Sequence, residues 1–487
     1  MTSSQNTQVE QTAAAIKHNP FSANNLASSA SAIKRQQATL ATSQLQQLIE
    51  QMHSTKLGLQ GPQGFQAVPV SFTPWQLSAK QFGAAQKLAQ LLGQLQAKAA
   101  EDPDWLLAQT EQLASSDTVP GEIWRRLKTL SAKRRSGQNH SIKSRNLMLN
   151  RHDFLLDQHQ QWRWVESNPI AAGMGPLNAA YLKLWQHHLQ GHYAPNDATA
   201  LQATLLAQAA IQQAQHTTTS PQQQPLMLIV VEANEDNIFD QQLLCNEVER
   251  LGVQVQRVTV AALLQAGFNS QQQLTWQQQR VDLLYWRTGY NPGTELDDNV
   301  WVFRTRLEQS AVAQCPTLAG QLTGSKWFQH QLTALILHNP AAVASQFGLS
   351  AADLRILQQA VVPSSAISDL TQAQAEQLIA QGYWYKTQQE GGGNVARGED
   401  ARQQLTKADS ADLLMAPIDC FVRAEAFTSL RGGNTHISTG HITELGIFSL
   451  GTEALYGGYL CRTKDANSNE GGVHRGGAVL DLVLLQL

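Results

Sequence analysis

Residues 225–260 read PLMLIVVEANEDNIFDQQLLCNEVERLGVQVQRVTV, and this stretch decides the fold class. The unbroken apolar run from Leu226 to Val231 suits a strand buried on both faces, as parallel strands covered by helices are. FDQQLLCNEVERLG then carries its apolar residues at helical spacing and stops at Gly252, a residue type that ends helices because it lacks a Cβ. VQVQRVTV alternates with the two-residue period of a strand. Strand, helix and strand in so short a span predict a βαβ unit. VDLLYWR (281–287) extends the pattern, so an α/β subdomain is expected over residues 225–327.

Outward from this block the pattern changes. Residues 1–60 are rich in Ser, Gln and Ala with little apolar periodicity and read as a mobile tail. Within them, residues 29–52 also have the spacing of a helix, with Leu45, Leu48, Ile49 and Met52 on one face. LSAKQFGAAQKLAQLLGQLQAKA (77–99) is a clearer helix, with Phe82, Leu88, Leu91, Leu92 and Leu95 in register. The helical region is expected to run to about residue 145. HDFLLD and WRWVESN (152–168) read as a hairpin of strands. PLNAAYLKLWQHHL and ATLLAQAAIQQAQHTTTSPQQQ (203–224) read as helices, the second ending in a polar linker. Residues 61–224 are therefore taken as one part of a larger body. Its other part, 328–487, carries well-separated strands at YWYKTQ, DLLMAPI, HISTGHITELGIFSL and GGYLCRTK, which suit an antiparallel sheet with helices on one face.

The chain has 487 residues, 42% of them hydrophobic and only 15% charged, with glutamine in many positions that Lys and Glu usually fill. A net charge of −3 gives no field for nucleic acid or an anionic membrane. The exception is the basic cluster Lys133, Arg134, Arg135, Lys143 and Arg145, which reads as a solvated turn between helices. The four cysteines lack CxxC spacing, so neither a zinc framework nor a disulfide scaffold is implied. Without a signal-type leader or an 18-residue apolar stretch, a cytoplasmic location is the default. Of His187, His188 and His192, only the last two share a helix face, a poor basis for a zinc site.

Charged residues stand at the ends of apolar strands in the C-terminal part: Lys386 after YWY, Glu390 before Gly391, Gly392 and Gly393, Glu444 in HITELGIF, and Arg462 and Lys464 in YLCRTK. Such charges are costly unless paired or bound to an ion. Carboxylates for magnesium and lysines for phosphates would suit a nucleoside triphosphate; internal salt bridges would look the same. GxxxxGK[ST], GxGxxG and GxSxG are all absent. The triple glycine alone leaves open whether its loop is a hinge or a phosphate cradle.

The order NIFDQ, YWRTGY, QLTGSK, KTQQEGGGN, TELGIF and CRTK…GGVHRGGAVLD resembles the eukaryotic-type glutathione synthetases, a family of ATP-grasp ligases. The likeness runs from VPVSFTPWQL (68–77) to the C-terminus. It implies an α/β (α+β) ATP-grasp protein with an antiparallel-sheet nucleotide domain, a helical N-terminal region and an inserted βαβ substrate-binding subdomain. The implied activity joins γ-glutamylcysteine to glycine: ATP phosphorylates the cysteinyl carboxylate, and the glycine amine attacks the acyl phosphate. A cytoplasmic homodimer using Mg2+ is implied with it. By the same resemblance Glu166, Asn168 and Glu390 hold the metal, and Lys326, Lys386 and Lys464 meet the phosphates together with Gly391, Gly392, Gly393 and Asn394. Met415 and Ile418 line the adenine pocket, Glu444 holds a polar group of the nucleoside, and Arg462 and Lys464 act in catalysis. Arg151, Glu235, Asn237, Gln241, Arg287, Tyr290, Arg462, Val473 and His474 contact the other substrates.

The chain departs from the family's pattern in five places. Ala171 and Gly173 stand where hydroxyls are expected, Gln389 replaces an arginine, and Val395 and Arg397 replace an asparagine and a tyrosine. Ala416 and Pro417 replace a Glu-Lys pair. His474 and Arg475 replace two alanines in the loop beside the amino-acid acceptor, a pair that also differs in related plant enzymes using β-alanine. A different acceptor or γ-glutamyl peptide, and a non-catalytic nucleotide-binding homologue, are therefore the alternatives to glutathione synthesis.

Overall fold

The computed structural model describes residues 42–136, 144–188, 190–217, 224–291, 296–390, 394–468, 471–474 and 476–486. Gly391, Gly392, Gly393, Lys143 and Arg475 lie outside the described residues, as does the expected tail up to residue 41.

All six residues of the strand Leu226–Val231 are buried. It pairs in parallel with Gln254–Thr259 on one side and Leu283–Trp286 on the other. Helix Ile238–Arg250 makes the crossover, and Gly252 takes a φ of +90° just beyond it, a conformation that suits glycine. Ala313–Cys315 and then Arg145–Asn146 complete a five-stranded sheet, parallel throughout. The outermost strand corrects the helical expectation at residue 145. Asn146 is pinned there because its Oδ1 accepts from both the backbone N–H and the hydroxyl of Thr317, each at 3.0 Å.

An eight-stranded sheet gathers distant segments in the order Asn434–Ser438, Phe427–Arg431, Val70–Ser71, Ala478–Asp481, Leu455–Asp465, His441–Leu450, Leu149–Leu156, Trp162–Asn168. Its pairs are antiparallel except Val70–Ser71 with Ala478–Asp481. Alternation along the strands sends neighbours to opposite faces. Leu445 and Ile447 join Phe82, Leu88 and Leu92 of helix Ala79–Glu101 in one core. Phe448 and Leu450 join Leu177 and Tyr181 of helix Gly175–Gln186 in another. Helices thus cover both faces, where one was expected, because these strands are apolar at successive positions. Helix Ala79–Glu101 begins in a capping box between Ser78 and Gln81, which satisfies backbone N–H groups that the first turn would leave unpaired.

A smaller antiparallel sheet runs Ser364–Ala366, Leu413–Met415, Trp384–Lys386, Val395–Ala396. Lys133, Arg134 and Arg135 occupy the last turn of helix Val119–Arg135, where cations complement the carbonyl end. Among the described residues no helix is long and apolar enough to cross a membrane. His188 contacts Gln51 at 2.8 Å.

The expectation of a tail to residue 60 is corrected for residues 42–60. Thr42–Ser54 is a helix, followed by a strand at Gly58–Gly61. Leu48 and Met52 are fully buried against the core that holds Leu177, Tyr181 and Trp185. The helical spacing read over residues 29–52, with Leu45, Leu48, Ile49 and Met52 on one face, is met here from Thr42 onward, because the stripe finds a partner surface to fold against. Leu48→Ala is expected to lower unfolding free energy by about 2–5 kcal/mol in a denaturant titration. A loss below about 0.5 kcal/mol, the level of surface substitutions, would mean that the helix is not docked.

Candidate active site

A cavity of about 890 Å³ opens between the two antiparallel sheets and the parallel-sheet unit. Every site residue expected from sequence that is described lines it, except Gln241. Residues as far apart in sequence as Arg151 and His474 thus meet in one place.

The geometry starts at the hairpin of Leu149–Leu156 with Trp162–Asn168. Arg151 pairs with Asn168 and Asp153 with Glu166, and the register slips before Phe154, leaving Val165 as an extra residue. Such a bulge frees a backbone group from the ladder. The Val165 carbonyl accepts instead from Lys386 Nζ at 3.2 Å and from Gln329 Nε2 at 3.0 Å. Glu166 and Asn168, two positions apart on the strand, both border the cavity.

Asp153, buried behind them, was not singled out from sequence. Its Oδ1 accepts from Arg151 Nε at 2.6 Å and its Oδ2 from Arg151 Nη2 at 2.8 Å. Oδ2 also accepts from Asn168 Nδ2 at 3.0 Å and Arg462 Nη2 at 3.5 Å. Spacing did hold the clue, since Arg151 and Asp153 share one face of a strand. Arg462 also donates to Glu444, from Nε at 2.8 Å and from the same Nη2. Glu444 and Arg462 are register partners across adjacent strands, so the carboxylate expected to hold nucleoside also holds an arginine.

Lys326 opens helix Lys326–His338 and donates to the Gln389 carbonyl at 2.5 Å, with Glu390 Oε1 at 3.7 Å. Gln388, also unforeseen, ties this loop down: its Oε1 accepts from Trp327 N–H at 3.0 Å and its Nε2 donates to Ala411 O at 2.7 Å. Burial raises the pKa of Glu166, but Lys386, Lys326, Arg462 and Arg151 outweigh it and hold the carboxyl below its usual range. Burial and the nearby Glu166 push Glu390 up, against Lys326 and Lys386. Burial depresses Lys386 despite Glu166. Two carboxylates therefore face one another among several cations, with Asn168 beside them. Among the described residues no group of three or more His, Cys, Asp or Glu side chains is arranged to hold a metal. Two carboxylates plus an amide oxygen nevertheless fit a hard divalent cation that keeps most of its water and takes one or two protein carboxylates.

At the opposite end, Arg287 is buried beside the Tyr285 ring, 5.9 Å from its centre, with a long hydrogen bond from Nη1 to Asp240 Oδ2 at 3.5 Å; its Nε makes no hydrogen bond within the described residues. Asn237 Oδ1 is likewise unpartnered. Buried polar atoms seldom stay so; both residues border the cavity, while these two atoms are themselves buried. Asp240, missed from sequence, accepts from Met174 N–H at 3.0 Å and Leu177 N–H at 3.1 Å at the start of helix Gly175–Gln186. Glu235 accepts from Asn237 N–H at 3.0 Å and from Gln241 Nε2. Gln241 also accepts from Arg257 at 2.6 Å and stands behind Glu235, off the cavity. Burial, with Glu232 and Glu235, pushes the Tyr290 hydroxyl up to about 12. The missing hydroxyl at 173 has a steric reason. A Cβ there would lie 2.5 Å from Arg287 Nη2 and 2.8 Å from Asn237 Nδ2.

Met415, Ala416, Pro417 and Ile418 form one wall. The Ala416 N–H is donated to Pro363 O at 2.9 Å, and Pro417 has none. Asn394, Lys464, Val473 and His474 complete the lining. Arg397 stacks over Trp384 with its Cζ 5.0 Å from the ring centre.

A family model described as the ATP-binding domain of eukaryotic glutathione synthase matches residues 34–485. The chloroplastic glutathione synthetase of Solanum lycopersicum is 28% identical over 441 residues, spanning 86% of this chain and 77% of its own. The glutathione synthetase of Rattus norvegicus is 30% identical over 362 residues, spanning 69% and 74%. A glutathione synthetase-like effector from Globodera pallida, solved in its apo form, aligns with a TM-score of 0.66. It shares 15% identity over 91% of this chain and 96% of that one, a likeness of fold.

Gly446 tests the geometry around Asp153. A Cβ there would sit 2.5 Å from Asp153 Oδ1 and 2.8 Å from Arg151 Cδ. Gly446→Ala is expected to lower unfolding free energy by about 1–3 kcal/mol, read by urea titration. An unchanged midpoint would mean that the Arg151–Asp153 pair does not occupy this space.

Proposed function

The chain belongs to the eukaryotic glutathione synthase family, and we propose that its cavity joins γ-glutamylcysteine to glycine, converting ATP to ADP and phosphate. The observation that carries this reading is the joining, in one cavity, of two chemically different ends. One holds Glu166, Asn168, Glu390, Lys326, Lys386 and Lys464; the other holds Arg151, Arg287, Glu235 and Asn237.

The first end suits a triphosphate. Lys386, anchored on Val165, and Lys326, anchored on Gln389, stand where phosphate oxygens would replace carbonyl partners. Met415 and Ile418 provide an apolar wall for adenine, and Lys464 reaches the cavity from the opposing sheet. An ATP-grasp arrangement follows, with nucleotide between the small and the large antiparallel sheets. Glu166, Asn168 and Glu390 would hold Mg2+, which offsets charge on the phosphates when bound. Gly391, Gly392 and Gly393 belong to the same reading, since residues without a Cβ let backbone N–H groups approach phosphate oxygens.

The second end suits the γ-glutamyl head, a carboxylate and an ammonium on one carbon. Arg287 would supply a guanidinium for the carboxylate, and Asn237 and Glu235 oxygens for the ammonium. Arg151, of this second end, and Arg462 meet the cysteinyl carboxylate as it takes the γ-phosphoryl group. Their charge stabilises the pentacoordinate phosphoryl and then the acyl phosphate. The glycine amine attacks the acyl carbon, forming the amide and expelling phosphate. Val473 and His474 border the position of this acceptor.

The division of the body into 61–224 and 328–487 around an inserted unit at 225–327 belongs to the same proposal, as do a homodimer and a cytoplasmic location. Phosphate release by the purified protein tests the reaction. It is expected to require ATP, γ-glutamylcysteine and glycine together, and Glu390→Gln is expected to lower it by about 10²-fold or more. Faster release with another amino acid than with glycine would overturn the acceptor. Full activity in Glu390→Gln would overturn the site.

A further inference from the structure

Asn168 presents one face of a planar amide to Asp153 and borders the cavity with the rest. Which face is which follows from chemistry. Asp153 accepts four hydrogen bonds from Arg151, Arg462 and Asn168; an ionised carboxylate between two guanidinium groups has no proton to donate. Only the NH2 of Asn168 can therefore satisfy it. The amide oxygen is then turned away from Asp153, and among the described residues it accepts no hydrogen bond. Asp153 itself is buried and does not line the cavity.

We infer that Asp153 is a positioning residue for the cation site: by fixing the Asn168 NH2 it holds the amide oxygen toward the cavity, beside Glu166. The inference rests on the ligase reading above. An Asn free to turn would present either a metal-binding oxygen or a repelling NH2 group at similar cost. The carboxylate removes that choice, as outer hydrogen-bond partners commonly do for metal ligands. Gly446 contributes by leaving the room that Asp153 Oδ1 occupies. The same carboxylate fixes Arg151 and Arg462, so its loss would also disturb the peptide side, and the test must read the two effects apart.

Asp153→Asn keeps the shape but supplies an NH2 of its own, so Asn168 can turn its oxygen inward to accept from it. Mn2+ binding, followed by loss of the free-ion EPR signal in the presence of an unhydrolysable ATP analogue, reads the consequence. Asp153→Asn is expected to weaken Mn2+ binding about 10- to 100-fold. The pair Asp153→Asn with Asn168→Asp is expected to restore it, because a carboxylate at 168 offers the cavity an oxygen whichever way it turns. Asn168→Asp alone controls for the charge that the second change adds, and a double variant tighter than Asp153→Asn by no more than that change tightens the wild type overturns the inference. Unchanged binding in Asp153→Asn, or a double variant no tighter than the single, overturns the inference. No Mn2+ binding by the wild type would overturn the ligase reading itself. A crystal structure of the wild type with Mn2+ and the analogue decides independently of how the variants fold. Asn168 Oδ1 on the ion with Nδ2 still on Asp153 is expected, and an ion held without Asn168 contradicts it.

Discussion

A single buried carboxylate, that of Asp153, sets the arrangement of the large sheet's working face. It draws in two N–H groups of Arg151, one of Arg462 and one of Asn168. A buried carboxylate stripped of such partners is destabilised by several kcal/mol, so the partners are held wherever the backbone allows them. Arg151 comes from the same strand, Asn168 from the next, and Arg462 from two strands away, across His441–Leu450. That last contact passes beside Gly446, where any side chain would collide with Asp153. One ionic cluster thus fixes the relative placement of residues on three strands.

A second device links the large sheet to its neighbours. The bulge at Val165 turns a carbonyl out of the ladder, and Lys386 of the small sheet and Gln329 of helix Lys326–His338 both donate to it. The charge balance of the cavity follows from these placements. Lys386, Lys326, Arg462 and Arg151 together overcome the burial of Glu166 and hold its carboxyl below the usual range, while burial and the Glu166 charge push Glu390 up. A site so built accommodates both a polyanion and a small cation, the combination that a metal-nucleotide presents.

Much of this was legible in the residues. Leu226–Val231 announced a doubly buried strand by its unbroken apolar run, and Lys386, Glu444, Arg462 and Lys464 stood out as charges in apolar strands. What stayed hidden depended on strand neighbours that sequence distance conceals. Asp153 looks like an ordinary strand residue until Arg462, 309 residues away, is placed beside it. Asp240 lies within a motif that was read, yet its role at the start of helix Gly175–Gln186 needs the fold. Gln241 was placed among substrate contacts but supports Glu235 from behind, because a helix turns successive residues to different sides. The apolar face of helix Thr42–Ser54 was legible in its spacing, but its docking was not, since the stability comes from a partner surface and not from propensity.

The central claim is that the cysteinyl carboxylate of γ-glutamylcysteine takes phosphate from ATP before the glycine amine attacks it. Labelling that carboxylate with 18O and analysing the released phosphate by mass spectrometry tests it directly. An acyl phosphate cleaved by attack at carbon leaves its bridging oxygen on phosphorus, so one 18O atom per phosphate released is expected. Phosphate without the label would contradict the account.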